Sequence, residues 1–396
     1  MKLIGARVAR DATTTEKIDL TVRGRRISFS TDRHSRGAGA RSPILDLTGF
    51  LVLPGLINAH DHLEFNLFPS LGRGTYTNAK NWAADIYQPD VSPVKEHLSL
   101  SKQTRMIWGG LKNLLSGVTT VAHHNPLEDT VLEVSFPVNV VKHFGWAHSL
   151  DFSPDLVERS RRTPEDWPFI LHAAEGIDKH ARAEIGRLEK LGVLSGRTVL
   201  VHAIGMDQPD LDLLRERRSS LVWCPSSNVS TFGQTLRARA LQSDINIVLG
   251  TDSALTAQVD LIDELEVARQ MYPLSAENLF EMVTTRSAQV LRLRDGEGTI
   301  REGGVADLVV VEDRGQSAAE ALQRMQPEMV MVRGKVRLVS PRLLDRTSTL
   351  DAEDWHPVHV EGRGKWFTNV NLPSLHEHSI RVLGPEYRLA GRRISL

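Results

Sequence analysis

Between residues 51 and 293, short apolar runs alternate with charged stretches of helical period. The strand-like runs lie at residues 51–59, 118–122, 138–144, 168–171, 198–201, 220–224 and 245–250, and the helical stretches include 101–115, 179–191 and 261–271. This alternation is the pattern of βα units around a parallel sheet. The span is about 240 residues, the size of one (β/α)8 barrel. Seven strands are legible, and residues 136–150 are expected either to hold two strands joined by an abbreviated connection or to mark a distorted barrel. Both flanks have a thinner β texture. Strands are expected at residues 2–9, 17–22, 26–30 and 44–47 before the alternation, and at 306–311, 328–332, 336–339 and around Val358 and Ile380 after it. The expected fold is α/β: a TIM-like barrel of residues 53–297 inserted into a small β-sandwich domain built from residues 1–52 and 298–396. Residues 68–93, punctuated by Gly72, Gly74, Pro89 and Pro93, form a long irregular stretch after the first strand. Stretches of that length tend to line or cover a site, which makes this one a candidate lid.

Composition narrows the function classes. A content of 41% hydrophobic residues over 396 positions supports a substantial core. The formal charge of −1, from 48 basic and 49 acidic residues, offers no electrostatic footprint for nucleic acid or an anionic membrane. The expected partner is a small molecule, and self-association into a homo-oligomer is left open. Cys224 is the single cysteine, so intrachain disulfides and multi-cysteine metal sites are excluded. The same count excludes the zinc deaminases built on a Pro-Cys-x-x-Cys pair. With no membrane-length apolar run and no apolar leader, a cytoplasmic protein is expected.

Chemistry gathers at one end of the strands. His60 and His62 end the first run; because strand side chains alternate, both point one way and Asp61 the other. Such a pair is about what composition supplies by chance, and His376 with His378 is another. The first pair is distinguished by its company. His172 ends the run at 168–171, His202 the run at 198–201, and Asp252 the run at 245–250. Barrel enzymes place their chemistry at this rim, and three imidazoles with one carboxylate suffice for zinc or ferrous iron with a position left for water. A fourth histidine remains for the substrate. Glu175, three residues beyond His172, can hang over the same mouth as a proton carrier, although an acid at a helix N-terminus is the plainer reading. His123 and His124 also end a strand, and either substrate contact or packing explains them. Pocket walls are expected from the lid, where Arg73, Trp82 and Tyr87 stand, from residues 123–125 and from residues 226–228. Cys224, followed by Pro225, reads as buried and unreactive. The C-terminal histidines His356, His359, His376 and His378 read as surface strand positions.

Five segments together resemble the amidohydrolase superfamily: PGLINAHDHLE from Pro54 to Glu64, HAAE from His172 to Glu175, VHA from Val201 to Ala203, CPSSN from Cys224 to Asn228 and GTDS from Gly250 to Ser253. The likeness is to its mononuclear deaminase and triazine-hydrolase branch. The run GTIREGGVADLVVV from Gly298 resembles that family's return to its β domain. The resemblance implies one divalent metal, zinc before iron, held by His60, His62, His172 and Asp252. It implies Asp252 as the base for water, Glu175 as proton shuttle and His202 as the residue that orients the water or polarises the scissile carbon. The implied reaction is hydrolytic deamination of an aminated heterocycle, with hydrolysis of a cyclic amide or other C–N bond as the alternative. A binuclear site bridged by carboxylated Lys142, with His202 as a ligand, is a second alternative. A catalytically silent binding homologue is a third, and the presence of every site-type residue speaks against it. Residues 341–396 carry no motif.

Overall fold

The computed structural model describes residues 1–30, 43–323, 325–347 and 354–396. Eight parallel strands organise the middle of the chain. Leu56–Asp61, Val118–His123 and Asn139–Val140 form one ladder, with Asn139 facing Thr120 and Asn58 facing Val121. Gly145–Trp146, Phe169–Ala173, Thr198–His202, Ser220–Trp223 and Ile247–Leu249 form a second, in that order. A parallel bridge between Asp61 and Asp252 joins the first strand to the eighth. Apart from the half-buried Gly145–Trp146, every residue of these strands is buried, as parallel strands covered on both faces by helices must be. The eighth strand that the sequence left unplaced is the two-residue segment Gly145–Trp146, separated from Asn139–Val140 by four residues, so residues 136–150 do hold two strands.

The run expected as one strand at 51–59 is two. Phe50–Pro54 pairs antiparallel with Leu308–Glu312, Leu53 opposite Val309, and parallel with Arg7–Ala9. Past Gly55 the chain enters the parallel array as Leu56–Asp61. A β-carbon at Gly55 would lie 2.1 Å from Thr119 Oγ1, so only glycine lets the chain pass between the two sheets there. The expected boundary at residue 52 therefore falls inside a strand, because a continuous apolar run gives no sign of which sheet each half joins.

Segments from both ends of the chain share one ten-stranded sheet, and Lys2–Ile4, Asp19–Arg23, Arg26–Ser30 and Ile44–Asp46 form a four-stranded one. Leu3, Leu20, Ile27 and Leu45 of the smaller sheet pack in one cluster with Val52, Leu308, Val310, Met329 and Met331 of the larger.

Two further expectations change. The helix expected over 179–191 breaks at Ala183 into Lys179–Arg182 and Glu184–Lys190. The segment around Ile380 is not a strand but the helix Leu372–Leu383, so His376 and His378 stand on a helix, whereas His356 and His359 stand on the strand His356–Val360. Apolar residues at helical spacing along Leu372–Leu383 pack against Trp108 and its neighbours: Leu375, Val382 and Leu383 lie on that cluster, and Trp108 Nε1 donates to Ser379 Oγ at 2.9 Å.

The stretch at 68–93 contains the helix Ala79–Ile86, capped by the Asn78 side chain. Its main chain is sewn to the strand ends: Ala79 N donates to Glu175 O at 3.0 Å, Ile177 N to Thr77 O at 2.8 Å, Tyr76 N to Thr231 O at 2.8 Å and Leu71 N to Leu255 O at 2.8 Å. It thus runs along the rim at which those strands end. Among the described residues, no helix is long and apolar enough to cross a membrane.

Candidate metal centre and active site

His60, His62, His172, His202 and Asp252 converge at the C-terminal ends of their strands, all buried. His60, His172 and His202 have ligand atoms within 4.8 Å of one another, and so do His60, His62 and Asp252. Close approach of the eighth strand makes this possible, since a β-carbon at Gly250 would sit 2.7 Å from His60 Cβ. His202 and Asp252 hold left-handed backbone, φ 73° and 57°, where L-residues are uncommon and which functional sites retain.

Hydrogen bonds set the protons in this cluster. His172 Nδ1 lies 3.0 Å from the His148 carbonyl oxygen, which only accepts, so Nδ1 carries the proton and Nε2 a lone pair. His124 Nε2 donates to Ala147 O at 3.0 Å. Its Nδ1, 3.3 Å from His60 Nδ1, must then accept, which leaves His60 Nε2 as a lone pair too. Burial keeps these rings neutral, pushing His60 down to about 4 and His124 and His172 well below the usual imidazole value. The two bare Nε2 atoms face each other across 3.3 Å.

Asp252 is prepared in the same sense. Ser227 Oγ at 2.6 Å and Thr256 Oγ1 at 3.0 Å both donate to Oδ2. Oδ1 is left 3.8 Å from His60 Nε2 and 3.7 Å from His62 Nε2, beyond hydrogen-bond range. Burial opposes ionisation of this carboxyl, and the two hydroxyl donors on Oδ2 favour the anion. The two neutral lone pairs of His60 and His172 beside one anionic oxygen fit a divalent cation.

Glu175 stands beside this cluster, its Oε1 3.6 Å from His202 Nε2. Burial pushes its carboxyl up to about 7, with His202 opposing. His202 Nδ1 donates to Asn228 Oδ1 at 2.8 Å, which turns its Nε2 lone pair toward Glu175 and the cluster. All six residues singled out in the sequence thus meet at one place.

Other expectations resolve differently. Lys142 lines a separate groove with Val134, Asn139, Arg333 and Arg337, away from the histidines, so it offers no bridge for a second metal. Residues 226–228, expected as pocket wall, instead brace the site: Ser227 holds Asp252 and Asn228 holds His202. Trp82 anchors the lid, donating to Leu71 O at 3.3 Å and packing beside Phe68, Val94 and Leu255, while Tyr87 is exposed. Cys224 is buried and its thiol is pushed well up by burial. His148 was missed: its ring centroid lies 4.7 Å from that of His172, and its Nδ1 is buried without a hydrogen-bond partner. A two-residue strand has no periodicity to announce it, although a histidine two positions past Trp146 repeats the strand-end pattern.

Parallel strands that bring a candidate histidine and aspartate cation site to one rim, with an acid beside it, point to a class: hydrolases of α/β architecture. Residues 133–337, more than half of the chain, match the amidohydrolase family, and the chain belongs to that family, hydrolases of carbon–nitrogen bonds other than peptide bonds. It is 25% identical over 332 residues to the 5-methylthioadenosine/S-adenosylhomocysteine deaminase of Syntrophobacter fumaroxidans, covering 68% of this chain and 74% of the relative. It is 24% identical over 329 residues to the 5'-deoxyadenosine deaminase of Methanothermobacter thermautotrophicus, covering 70% and 77%. Among solved structures, an atrazine chlorohydrolase from Arthrobacter aurescens complexed with zinc superposes with a TM-score of 0.63 at 19% identity, over 85% of this chain and 94% of that one. An adenosine deaminase from Xanthomonas campestris with bound zinc gives 0.63 at 19% identity, over 87% and 94%. At that identity the structural likeness speaks for the fold.

Proposed function

We propose that this chain hydrolytically deaminates an aminated heterocycle, using one divalent metal held by His60, His62, His172 and Asp252, zinc before iron. The site would open at the rim of a (β/α)8 barrel that begins at Leu56, past the strand Phe50–Pro54, and would be carried by a β-sandwich built from both flanks. The observation that carries the reading is the pair of bare Nε2 atoms of His60 and His172, aimed at one point beside the anionic Oδ1 of Asp252. Bound there, a divalent cation lowers the pKa of water to about 7 and so makes hydroxide available near neutrality.

The side chains divide the remaining work. Asp252 Oδ1, whose partner oxygen is already saturated by Ser227 and Thr256, accepts the proton of the attacking water. Oxygen adds to the ring carbon bearing the exocyclic amine, the C–N bond breaks, and ammonia leaves. Glu175, with its carboxyl pushed up to about 7, still holds a proton near neutrality and delivers it to the ring nitrogen or the departing amine. His202, fixed through Nδ1 by Asn228, orients the water with Nε2. The unpartnered Nδ1 of His148 offers a contact to the heterocycle. The names of the curated relatives favour an amine on a purine-type ring over a cyclic amide. The single, buried Cys224 fits a reducing, cytoplasmic setting.

The deciding experiment measures ammonia release from adenosine-type nucleosides and aminated pyrimidines and triazines by protein of known metal content. Ammonia with one metal per chain is expected. A new carboxylate without ammonia would favour the cyclic-amide reaction, and metal-replete protein without metal at these residues would sink the reading.

A further inference from the structure

The C-terminal segment carries no motif, yet two of its arginines reach back across the chain to the helix Leu261–Met271. Arg363 Nη2 lies 3.0 Å from both oxygens of Asp260 and 2.7 Å from Asp263 Oδ1; Arg392 Nη2 lies 2.8 Å from Asp263 Oδ1. Asp260 and Asp263 are the reciprocal capping pair of that helix, Asp260 Oδ1 accepting from Asp263 N at 3.0 Å and Asp263 Oδ2 from Asp260 N at 3.0 Å. A cavity of about 420 Å³ lies between this helix start and the C-terminal strands, bordered by Met325, Trp366 and Ile394. Across that gap the helix is held by ion pairs rather than by packing.

One residue further on, the same helix presents Glu264, fully buried. Its Oε1 accepts from Ser226 N at 3.0 Å and its Oε2 from Ser226 Oγ. Ser226 is followed directly by Ser227, which holds Asp252, and by Asn228, which holds His202. A second thread runs from the same terminal segment: Ala390 N donates to Asn66 O at 2.8 Å, and Asn66 Nδ2 to Asp61 Oδ1 at 2.8 Å, between the two histidines of the first strand.

We propose that the C-terminal segment positions the metal site: Arg363 and Arg392 fix the start of the helix Leu261–Met271, and Glu264 on that helix fixes the Ser226–Asn228 run that aims Asp252 and His202. These are positioning residues, acting through others. The inference rests on the metal reading above but not on the identity of the substrate, so its test is made with metal alone.

Cobalt(II) affinity and the visible d–d spectrum of the full chain are the readouts, with thermal unfolding to confirm that each variant is folded. Direct outer partners of metal ligands typically govern about 10–100-fold in affinity; Glu264 acts one step further out, through Ser226 on Ser227, so a loss of up to about 10-fold is expected for Glu264→Leu, with an altered spectrum. Glu264→Gln, which keeps an acceptor for the Ser226 amide, regains most of it. The double variant Arg363→Ala/Arg392→Ala shows the same spectral change with a smaller loss, and it decides the matter if Glu264→Leu does not fold. Arg388→Ala, which breaks the exposed pair with Glu361 in the same segment, changes neither. Wild-type affinity and spectrum in folded Glu264→Leu and in the double-arginine variant would overturn the inference alone. A wild-type chain that binds no cobalt would overturn both it and the metal reading.

Discussion

The strand Leu56–Asp61 carries two buried polar clusters, one on each face, and they are built on opposite rules. On the outer face Asp61 is saturated: Lys112 Nζ lies 2.8 Å from Oδ2, Asn113 Nδ2 donates to Oδ2 at 2.7 Å and Asn66 Nδ2 to Oδ1 at 2.8 Å. Lys112 also donates to Thr251 Oγ1 at 3.0 Å, and Asn58 Nδ2 bonds Asn113 at 2.9 Å. On the inner face His60 and His172 present bare Nε2 lone pairs to each other beside the anionic oxygen of Asp252. Both clusters are buried, and both include an aspartate. The outer one has every charge paired, so it fastens the first strand to the eighth and to the helix Lys102–Leu115. The inner one stays electrostatically incomplete, which a fold tolerates where a cation completes it. A carboxylate's neighbours, and not its burial, separate scaffold from site.

The strongest way to break this contrast is to remove an inner ligand. His172→Ala should lose metal and at least about three orders of magnitude of hydrolysis, since water then keeps its high pKa. Its metal-free form should also lose some urea stability, because the Nδ1 hydrogen bond to the His148 carbonyl and the packing of the buried ring go with it. Next comes Glu175→Gln, for which kcat should fall about 10²–10⁴-fold with metal content unchanged. A drop in metal content would instead make Glu175 a ligand. The outer face should fail in the opposite manner. Lys112→Met strands the Asp61 charge and should cost about 3–5 kcal/mol of unfolding free energy in urea, whereas a cost near zero would dissolve the contrast between the clusters.

The smallest effect concerns Asp307, whose Oδ2 is buried and unpartnered but lies apart from the histidines. Burial pushes its carboxyl up to about 7, above the value of 3.8 taken for the free side chain. The folded state therefore holds this proton more tightly than the unfolded chain does. The associated stability is full below about pH 4 and is lost as pH rises through about 7. Asp307→Asn should flatten the fall in urea midpoint between pH 4 and pH 7, and an unchanged slope would remove Asp307 from the account. Incompleteness at a single atom thus marks a titrating group, and only several such atoms around one point mark a metal site.

Much of this was legible beforehand, for reasons tied to particular residues. Alternation put His60 and His62 on one face and Asp61 on the other, and the structure keeps them there, although a register shift between Asn58 and Asp61 brings Asn58, two residues before His60, to the Asp61 cluster. The helix Leu261–Met271 was legible to the residue, since Asp260 caps it and its apolar spacing is regular. Failures came where local pattern and tertiary partner disagree. The run from Leu51 to Ala59 is uniformly apolar, and only sheet pairing with Leu308–Glu312 on one half and Val118–His123 on the other divides it. His376 and His378 satisfy a strand pattern and a helix pattern alike; packing of Leu375, Val382 and Leu383 on the Trp108 cluster selects the helix.

Residue type and position near strand ends marked, from the chain alone, six side chains that meet at one rim and an aspartate that faces away from them, because both follow from spacing along a local backbone. Tertiary structure alone decided which protons those side chains carry. The tautomers of His60 and His172 depend on carbonyls of Ala147 and His148, the free oxygen of Asp252 on Ser227 and Thr256, and the set of Ser227 on Glu264 and the arginines beyond it. Thr256 apart, which is four residues from Asp252, such contacts join residues tens to more than a hundred positions apart, and a spacing rule has no reach over that distance.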